Sequence, residues 1–349
     1  MTTIAITGAG GQLGRRLVRA LDADPGVTRI VGLDRTPPRG LVPSRFEYRP
    51  VDVRDADWDS ALAGVDVLVH LAFVVDPIHD LDEARESNVV GTRNVFEVAA
   101  RAGVKRLVYP SSVVAYGAHP DNDVPLTESS PLRGIGGFPY AEHKRDIEQW
   151  LAVWRDEHPD VTVSVLRFAL LLGPGLQNFV TRSFEAPRIP MIRGHRPPLQ
   201  FLHPDDAVSA IRHVIDKELD GTFNVCAEGW LSFDEVTAIV GRRTVEVPEE
   251  LAWTTTERVW ALGLGEQPPG LLSLFMYPWV MSAQRFVATG WRAQYTNRDA
   301  VAAMAAEHAG YVSLLGRRAT KRTVRITVAA VVAAKLGLVW WAFRRWRSR

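Results

Sequence analysis

Tyr140 and Lys144 stand four residues apart, and Ser112 lies upstream in Pro110-Ser111-Ser112-Val113-Val114-Ala115-Tyr116-Gly117. On a helix, positions i and i+4 share a face. A free tyrosine hydroxyl titrates near pH 10, too high for a base at neutral pH. An ammonium beside it favours the phenolate and lowers that value. A serine hydroxyl on the opposite side can hold a substrate oxygen. Together the three groups would take a proton from a carbinol while a hydride leaves its carbon, or run the reverse. The expected catalytic set is therefore Ser112, Tyr140 and Lys144.

A hydride needs an acceptor, and the start of the chain offers a seat for one. Ile4-Ala5-Ile6 reads as a buried strand, and residues 14–22 read as a helix with Leu17, Val18 and Leu21 on its inner face. Between them runs Thr7-Gly8-Ala9-Gly10-Gly11-Gln12-Leu13-Gly14. Unpaired N–H groups and the positive end of the dipole make such a turn a phosphate site, and glycines let the backbone come close. The spacing Gly8, Gly11, Gly14 departs from the plain G-x-G-x-x-G pattern. Asp34 ends the second strand, 20 residues after Gly14, where a carboxylate accepts from an adenosine ribose and repels a 2′-phosphate. That favours NAD over NADP, with Arg35 beside it softening the preference. Asp52, in Val51-Asp52-Val53 at the end of the third strand, is a candidate for the adenine edge.

The elements that must position these residues alternate. Strands are expected at 29–33, 46–51, 65–72, 106–110 and 161–168. Helices are expected around 57–63, over 81–103 and over 142–155. This alternation predicts an α/β chain, a doubly wound parallel sheet of Rossmann type with helices on both faces and ligands beyond the carboxyl ends of the strands. Gly8, Asp34, Asp52, Ala72 and Ser112 fall at those ends.

Composition narrows the classes. The chain has 349 residues, 46% of them hydrophobic and 23% charged, ordinary for a globular protein. One cysteine, Cys226, excludes an internal disulfide framework and suits a reducing cytoplasm. The nine histidines are scattered without metal-ligand spacing, so no metal is expected. Residues 1–307 hold 31 basic and 40 acidic side chains, whereas ten basic and no acidic residues follow Glu307. An acidic body argues against nucleic acid as a partner. No secretory leader is visible at Met1-Thr2-Thr3.

These residues resemble the extended short-chain dehydrogenase/reductase family, which includes NAD-dependent nucleotide-sugar epimerases and dehydratases and the 3β-hydroxysteroid dehydrogenases. Thr7-Gly8-x-x-Gly11-x-x-Gly14 is similar to the family's cofactor loop, and Asp52-Val53-x-Asp55 to its adenine-side motif. His70-Leu71-Ala72 resembles the strand end at the nicotinamide ribose. Asn88-Val89-Val90-Gly91-Thr92 resembles the helix whose Asn supports that strand. Tyr140-x-x-x-Lys144, Arg167, Gly173-Pro174-Gly175, His203-Pro204-Asp205-Asp206-Ala207 and Gly221-Thr222-Phe223-Asn224-Val225 match further signatures. The likeness runs from about residue 3 to 300. It implies Tyr140 as general acid/base, Lys144 as its pKa-lowering neighbour and a ligand of the nicotinamide ribose, and Ser112 on the substrate oxygen. The expected cofactor-binding set is Gly8, Gly11, Gln12, Leu13, Gly14, Asp34, Arg35, Asp52, Val53, Leu71, Ala72, Asn88, Tyr140 and Lys144. A homodimer joined through helices of the large domain is implied by the resemblance alone.

The expected layout is an NAD-binding domain over 1–175 with later segments returning to it, a smaller substrate lobe mainly over 176–312, and a basic, hydrophobic C-terminal helix over 320–349. Asn178, Arg182, Arg188, Arg193 and Arg196 are candidates to neutralise a nucleotide-sugar diphosphate, or are solvated surface charges. The stretch 251–281 is strongly apolar, holding Trp253, Trp260, Leu271, Leu272, Leu274, Phe275 and Trp279, and reads as lobe core or as the wall of a lipid-like site. Ile326–Phe343 carries one charge, Lys335, between basic flanks with Trp340 and Trp341 near its end. It is read as a membrane-associating helix, so localisation is cytoplasmic, with membrane attachment through 320–349, or else that helix packs on the body or a partner. The leading functional expectation is an epimerase/dehydratase-like oxidoreductase acting on a secondary alcohol or ketone such as a nucleotide sugar. Two alternatives remain: a membrane-associated 3β-hydroxysteroid-dehydrogenase-like or other lipid alcohol enzyme, and a non-catalytic NAD-sensing regulator.

Overall fold

Alternating apolar residues along the first strands set the architecture. In β1 (Thr2–Thr7), Ile4 and Ile6 face one core and Ala5 faces the other. The same period of two places Val67 and Val69 of β4 (Val67–His70) on the first side and Leu68 on the second. A strand buried on both faces needs helices on both sides. The computed structural model describes residues 2–38, 40, 43–177, 179–314, 317–320 and 323.

In chain order, α1 (Gln12–Asp22), β2 (Val27–Asp34) and β3 (Phe46–Pro50) follow β1, and β4 comes next. A helical run then extends from α2 (Leu81–Arg85) through a π-turn at Glu86–Val90 into α3 (Gly91–Arg101). β5 (Arg106–Ser112), α4 (Pro139–Glu157) and β6 (Thr162–Phe168) complete the first half. The second half holds β7 (Leu170–Leu171), α5 (Phe179–Phe184), β8 (Arg188–Ile192), β9 (Phe201–Leu202), α6 (Pro204–Asp216) and β10 (Gly221–Val225). After these come α7 (Phe233–Val240), β11 (Arg243–Val247), α8 (Glu249–Ala261), α9 (Gln284–Val287), α10 (Asn297–His308), β12 (Tyr311–Leu314) and β13 (Arg317–Thr320).

Seven strands form one sheet in the order β10-β6-β5-β4-β1-β2-β3, every neighbouring pair parallel. The chain moves outward from β1 to β3, then restarts at β4 on the other side of β1. Such a reversal opens a crevice at the carboxyl ends of β1 and β4, where open α/β sheets bind ligands. Helices α1 and α6 pack together over one face, with Leu17, Val18, Leu21, Ile211 and Val214 in that core. Phe96, Ile147, Leu151 and Trp154 of α3 and α4 fill the other. The Rossmann-type expectation is met.

Some boundaries differ from expectation. β3 ends at Pro50, whose ring cannot donate to a ladder, so Val51-Asp52-Val53 is loop and not strand end. Helix α4 begins at Pro139, at a position that tolerates a missing N–H, which brings Tyr140 inside its first turn. The long helix expected at 81–103 ends at Arg101 and contains the π-turn beside Asn88.

Pieces of the second half return to the sheet. β10 pairs with β6, Gly221 opposite Ser164. The parallel pair β8 and β11, α8 and the turn at Pro269–Phe275 form a roof that shares one cavity with the strand ends. Arg16 of α1 is tied to Asp205 at 2.7 Å, and Asp206 accepts from the backbone of Gln294 and Tyr295 at 2.9 and 3.0 Å. At the far end β12 and β13 form an antiparallel pair, so Thr320 closes a strand. The expected hydrophobic helix at 326–343 lies outside the described residues. Among the described residues no helix is long and apolar enough to cross a membrane.

Candidate functional site

The turn after β1 is built by close approach. A Cβ on Gly14 would lie 2.3 Å from the carbonyl oxygen of Gly8, and one on Gly8 would meet Leu71 and Ala72 backbone at 2.7 Å. Gly8 also has φ +67°, in the left-handed region. Helix α1 therefore starts against β1 and β4. Its N-cap, Gly11, has no side chain to satisfy the first amides, which leaves donors for an anion. The Gly10 N–H donates to Asp34 Oδ2 at 2.9 Å, tying the acidic end of β2 to the loop.

Beneath this turn lies a buried polar relay. Thr92 Oγ1 donates to the Asn88 carbonyl at 2.5 Å and accepts from His70 Nε2 at 2.9 Å. His70 Nδ1 then accepts from Thr7 Oγ1 at 2.7 Å, and Thr7 Oγ1 accepts from the Ala72 N–H at 3.2 Å. The network fixes a neutral His70 with its proton on Nε2. Burial, with the Lys144 charge adding to it, pushes the ring down to about 3. Asn88 grips the segment after β4 by both its groups, accepting from Val74 N–H at 2.7 Å and donating to the Val74 carbonyl at 3.0 Å.

The carboxyl end of β5 and the start of α4 bring the three expected catalytic residues to one cavity of about 970 Å³. Ser112, Tyr140 and Lys144 line it, together with Gly8, Gly11, Gln12, Leu13, Gly14 and Leu71. Burial pushes the Tyr140 hydroxyl up to about 12, partly offset by its hydrogen bond with Ser112. Lys144 Nζ donates to Tyr109 Oη at 3.1 Å and to the Pro110 carbonyl at 2.9 Å. It also sits 3.8 Å from the centroid of the Phe73 ring and 5.9 Å from that of Tyr140. Burial depresses Lys144 to about 7, against the pull of Glu148. In this geometry the ammonium is committed to Tyr109 and Pro110, and burial sets the direction of the Tyr140 shift.

Below Lys144 lies a buried ion pair. Arg167 Nη2 meets Glu148 Oε2 at 2.6 Å, with both side chains under 10% exposed. The Ser111 hydroxyl donates to Glu148 Oε1 at 2.5 Å, and Arg167 Nη1 donates to Tyr116 Oη at 2.6 Å. Tyr116 Oη in turn donates to Asn224 Oδ1 at 2.7 Å. Glu148 sits at i+4 from Lys144 on the same helix, a spacing visible in sequence that the three-residue reading passed over. Phe73 and Tyr109 had no such signal, because only the sheet brings them to Lys144.

Other expected site residues stand elsewhere. Asp34 and Ala72 adjoin the loop without lining the cavity, and Arg35 is exposed. Asp52 is engaged by Arg54 at 2.6 Å, which with Arg35 lowers its carboxyl below the usual range. Val53 is buried core against Gly91. Gln12 is held by the backbone of Gln177, at 2.8 and 2.7 Å. Of the diphosphate candidates, Arg182 pairs with Asp76 and Glu266, and Arg193 and Arg196 with Glu246. None of these three lines the cavity, nor does the exposed Arg188. Asn178 lies outside the described residues. In the apolar stretch after residue 250, Leu271, Leu274 and Trp279 are buried, and with Leu251, Leu272 and Phe275 they wall the cavity.

Comparison with known proteins agrees with this architecture. An uncharacterized protein of Mycobacterium tuberculosis (strain ATCC 25618 / H37Rv) is 28% identical over 306 residues, 85% of this chain and 81% of the relative. The structure of MoeE5 in complex with UDP-glucuronic acid and NAD is similar with a TM-score of 0.69 at 21% identity, covering 88% of this chain and 98% of that one. UDP-glucose 4-epimerase of Thermus thermophilus, in complex with NAD, gives a TM-score of 0.68 at 20% identity over 88% and 99%. Those two likenesses are of fold. The sequence itself matches the NAD dependent epimerase/dehydratase family over residues 4–226. Because that span runs from β1 to β10 and takes in every strand of the main sheet, the protein belongs to the NAD dependent epimerase/dehydratase family.

Proposed function

We propose that this chain oxidises a secondary alcohol, or reduces the matching ketone, with Tyr140 as general acid/base, Ser112 on the substrate oxygen and Lys144 at the cofactor side. The observation that carries the reading is the meeting of Ser112, Tyr140 and Lys144 with the glycine loop in one cavity. The residues fit NAD: an uncapped helix start and two close-approach glycines for the pyrophosphate, and a carboxylate, Asp34, held at the loop for a ribose. That carboxylate favours NAD over a 2′-phosphorylated dinucleotide. When bound, the nicotinamide supplies the hydride acceptor or donor.

The protein's own groups handle the proton. With its hydroxyl pushed up to about 12, Tyr140 is a neutral phenol at pH 7, the form that gives a proton to a ketone oxygen. Oxidation needs the phenolate, so it gains as pH rises. Ser112, already bonded to Tyr140, holds the substrate oxygen between the two hydroxyls. The Thr7–His70–Thr92 relay and Asn88 keep the segments after β1 and β4 in place. A regulator that only sensed NAD would have no use for this triad.

The test is direct. Protein purified without added cofactor is denatured and its supernatant assayed for NAD(H) and NADP(H). Protein that arrives empty is titrated with NAD. Binding of NAD, with Tyr140→Phe binding it equally but losing turnover, supports the reading. Full activity of Tyr140→Phe, or no binding of either dinucleotide, overturns it.

A further inference from the structure

The cavity continues from the catalytic end into a chamber walled by the second half of the chain. Ile189 and Ile192 of β8, Leu251 of α8, and Leu271, Leu272 and Phe275 of the turn at Pro269–Phe275 supply its far wall. Among the described residues that line the cavity, Lys144 is the only cation, since buried His70 is neutral, and Asp76 is the only carboxylate. Lys144 is already shared between Tyr109 and Pro110. The roof's arginines are already paired: Arg182 at the cavity's edge with the lining Asp76 and with Glu266, and Arg193 and Arg196 with Glu246. Helix α8, which borders the chamber with Leu251 and Ala252, opens its first turn on Glu249 and Glu250. A helix start carrying carboxylates does not welcome an anion.

Two phosphate charges placed in such a chamber would lose water and, among the described lining residues, find no cation beyond the already shared Lys144, a heavy penalty. An uncharged apolar body would lose water gladly. We infer that the substrate is an uncharged, largely apolar secondary alcohol or ketone, polar only at the carbon that reacts, and not a nucleotide diphosphate sugar. The inference rests on the proposed catalytic reading and names its substrate class. In the oxidising direction the carbinol C–H bond breaks with its electron pair moving to NAD+ as hydride. The O–H proton passes to the Tyr140 phenolate, the resulting phenol returns it to solvent, and the products are ketone and NADH.

The turn at Pro269–Phe275 is the device that fits this chamber to the chemistry. Gly270 N–H donates to the Gly137 carbonyl at 3.2 Å, and a Cβ on Gly270 would lie 2.2 Å from the Gly136 carbonyl oxygen. The apolar wall is thus anchored to the loop that leads into α4 and Tyr140. Leu272, half-buried and facing the cavity, is assigned as a specificity-determining residue.

The experiment uses the full chain with NAD+. A ladder of 2-alkanols from 2-butanol to 2-decanol is assayed for NADH formation, with UDP-glucose alongside. The matching 2-alkanones are titrated by calorimetry into Tyr140→Phe protein with NADH. Each added methylene should raise kcat/KM, and tighten binding, by about fourfold until the chamber is full, while UDP and UDP-glucose give no heat. Leu272→Arg should flatten the ladder and leave dinucleotide affinity unchanged. A binding ladder without turnover in the wild type upholds the substrate class and overturns the catalytic reading. A flat ladder in both assays, or UDP binding that competes with the alkanones, overturns the substrate class.

Discussion

The floor and the roof of the cavity are made by different means. The floor comes from the first half of the chain, where sheet register aligns strand ends and each functional group sits in a dense polar network. Ser112, Lys144 and His70 all have named partners within 3.4 Å. The roof comes from short strands, a 3-10 turn and helix faces, and it meets the cavity mainly with aliphatic and aromatic side chains. A floor of hydrogen bonds holds one geometry, because displacing any member orphans another. A roof of apolar contacts is tolerant, since volume-conserving exchanges there cost little. The fold thus separates a part that cannot change from a part that can.

The largest effect expected from breaking this contrast is on the floor. Tyr140→Phe should lower turnover by about 10²–10⁴-fold, with Tm and dinucleotide affinity close to wild type. Next comes Arg167→Met, which leaves Glu148 charged and buried. It should cost about 3–5 kcal/mol in denaturant unfolding. A loss below about 1 kcal/mol would mean that the pair is not a structural anchor of the floor.

A third effect concerns pH. Burial takes Lys144 from 10.5 to about 7. Between those values the unfolded chain holds the proton and the folded one does not, so stability should rise from pH 7 towards pH 10. Lys144→Met should remove that rise, as followed by the difference in Tm across the range. The smallest effect belongs to the roof: Leu272→Ala should change unfolding free energy by about 1 kcal/mol or less, at a half-buried site. It should still weaken apolar substrate binding several-fold, which steady-state KM reads. Equal stability losses from Arg167→Met and Leu272→Ala would erase the distinction between floor and roof.

Local spacing made the floor legible before the fold was known. The glycine loop, Asp34 after β2, and the Tyr140–Lys144 pair are read within one turn or one strand–helix unit, and the structure brings most of them to one crevice. Charge states were not legible. That Tyr140 rises and Lys144 falls depends on burial beneath Phe73, Tyr109 and the roof, which no local window contains. The arginines of the second half could be read as diphosphate ligands because their carboxylate partners lie far away in sequence, 50 to 106 residues in the case of Arg196 with Glu246 and Arg182 with Asp76. Asp52 stands two residues past the end of β3 because Pro50 stops the strand, and its partner Arg54 lies only two residues on.

Strand β10 carries a consequence of its own. It is one of the two edge strands of the main sheet, yet it comes after β8 and β9, which lie outside that sheet. The polypeptide between β6 and β10 is therefore a loop fastened at both ends to adjacent rungs of one ladder. A protease cut at the exposed turn around Gly194 would yield two fragments that each keep a piece of both storeys. Neither fragment could leave without unzipping β10 from β6, so the nicked protein should migrate as one particle until it is denatured.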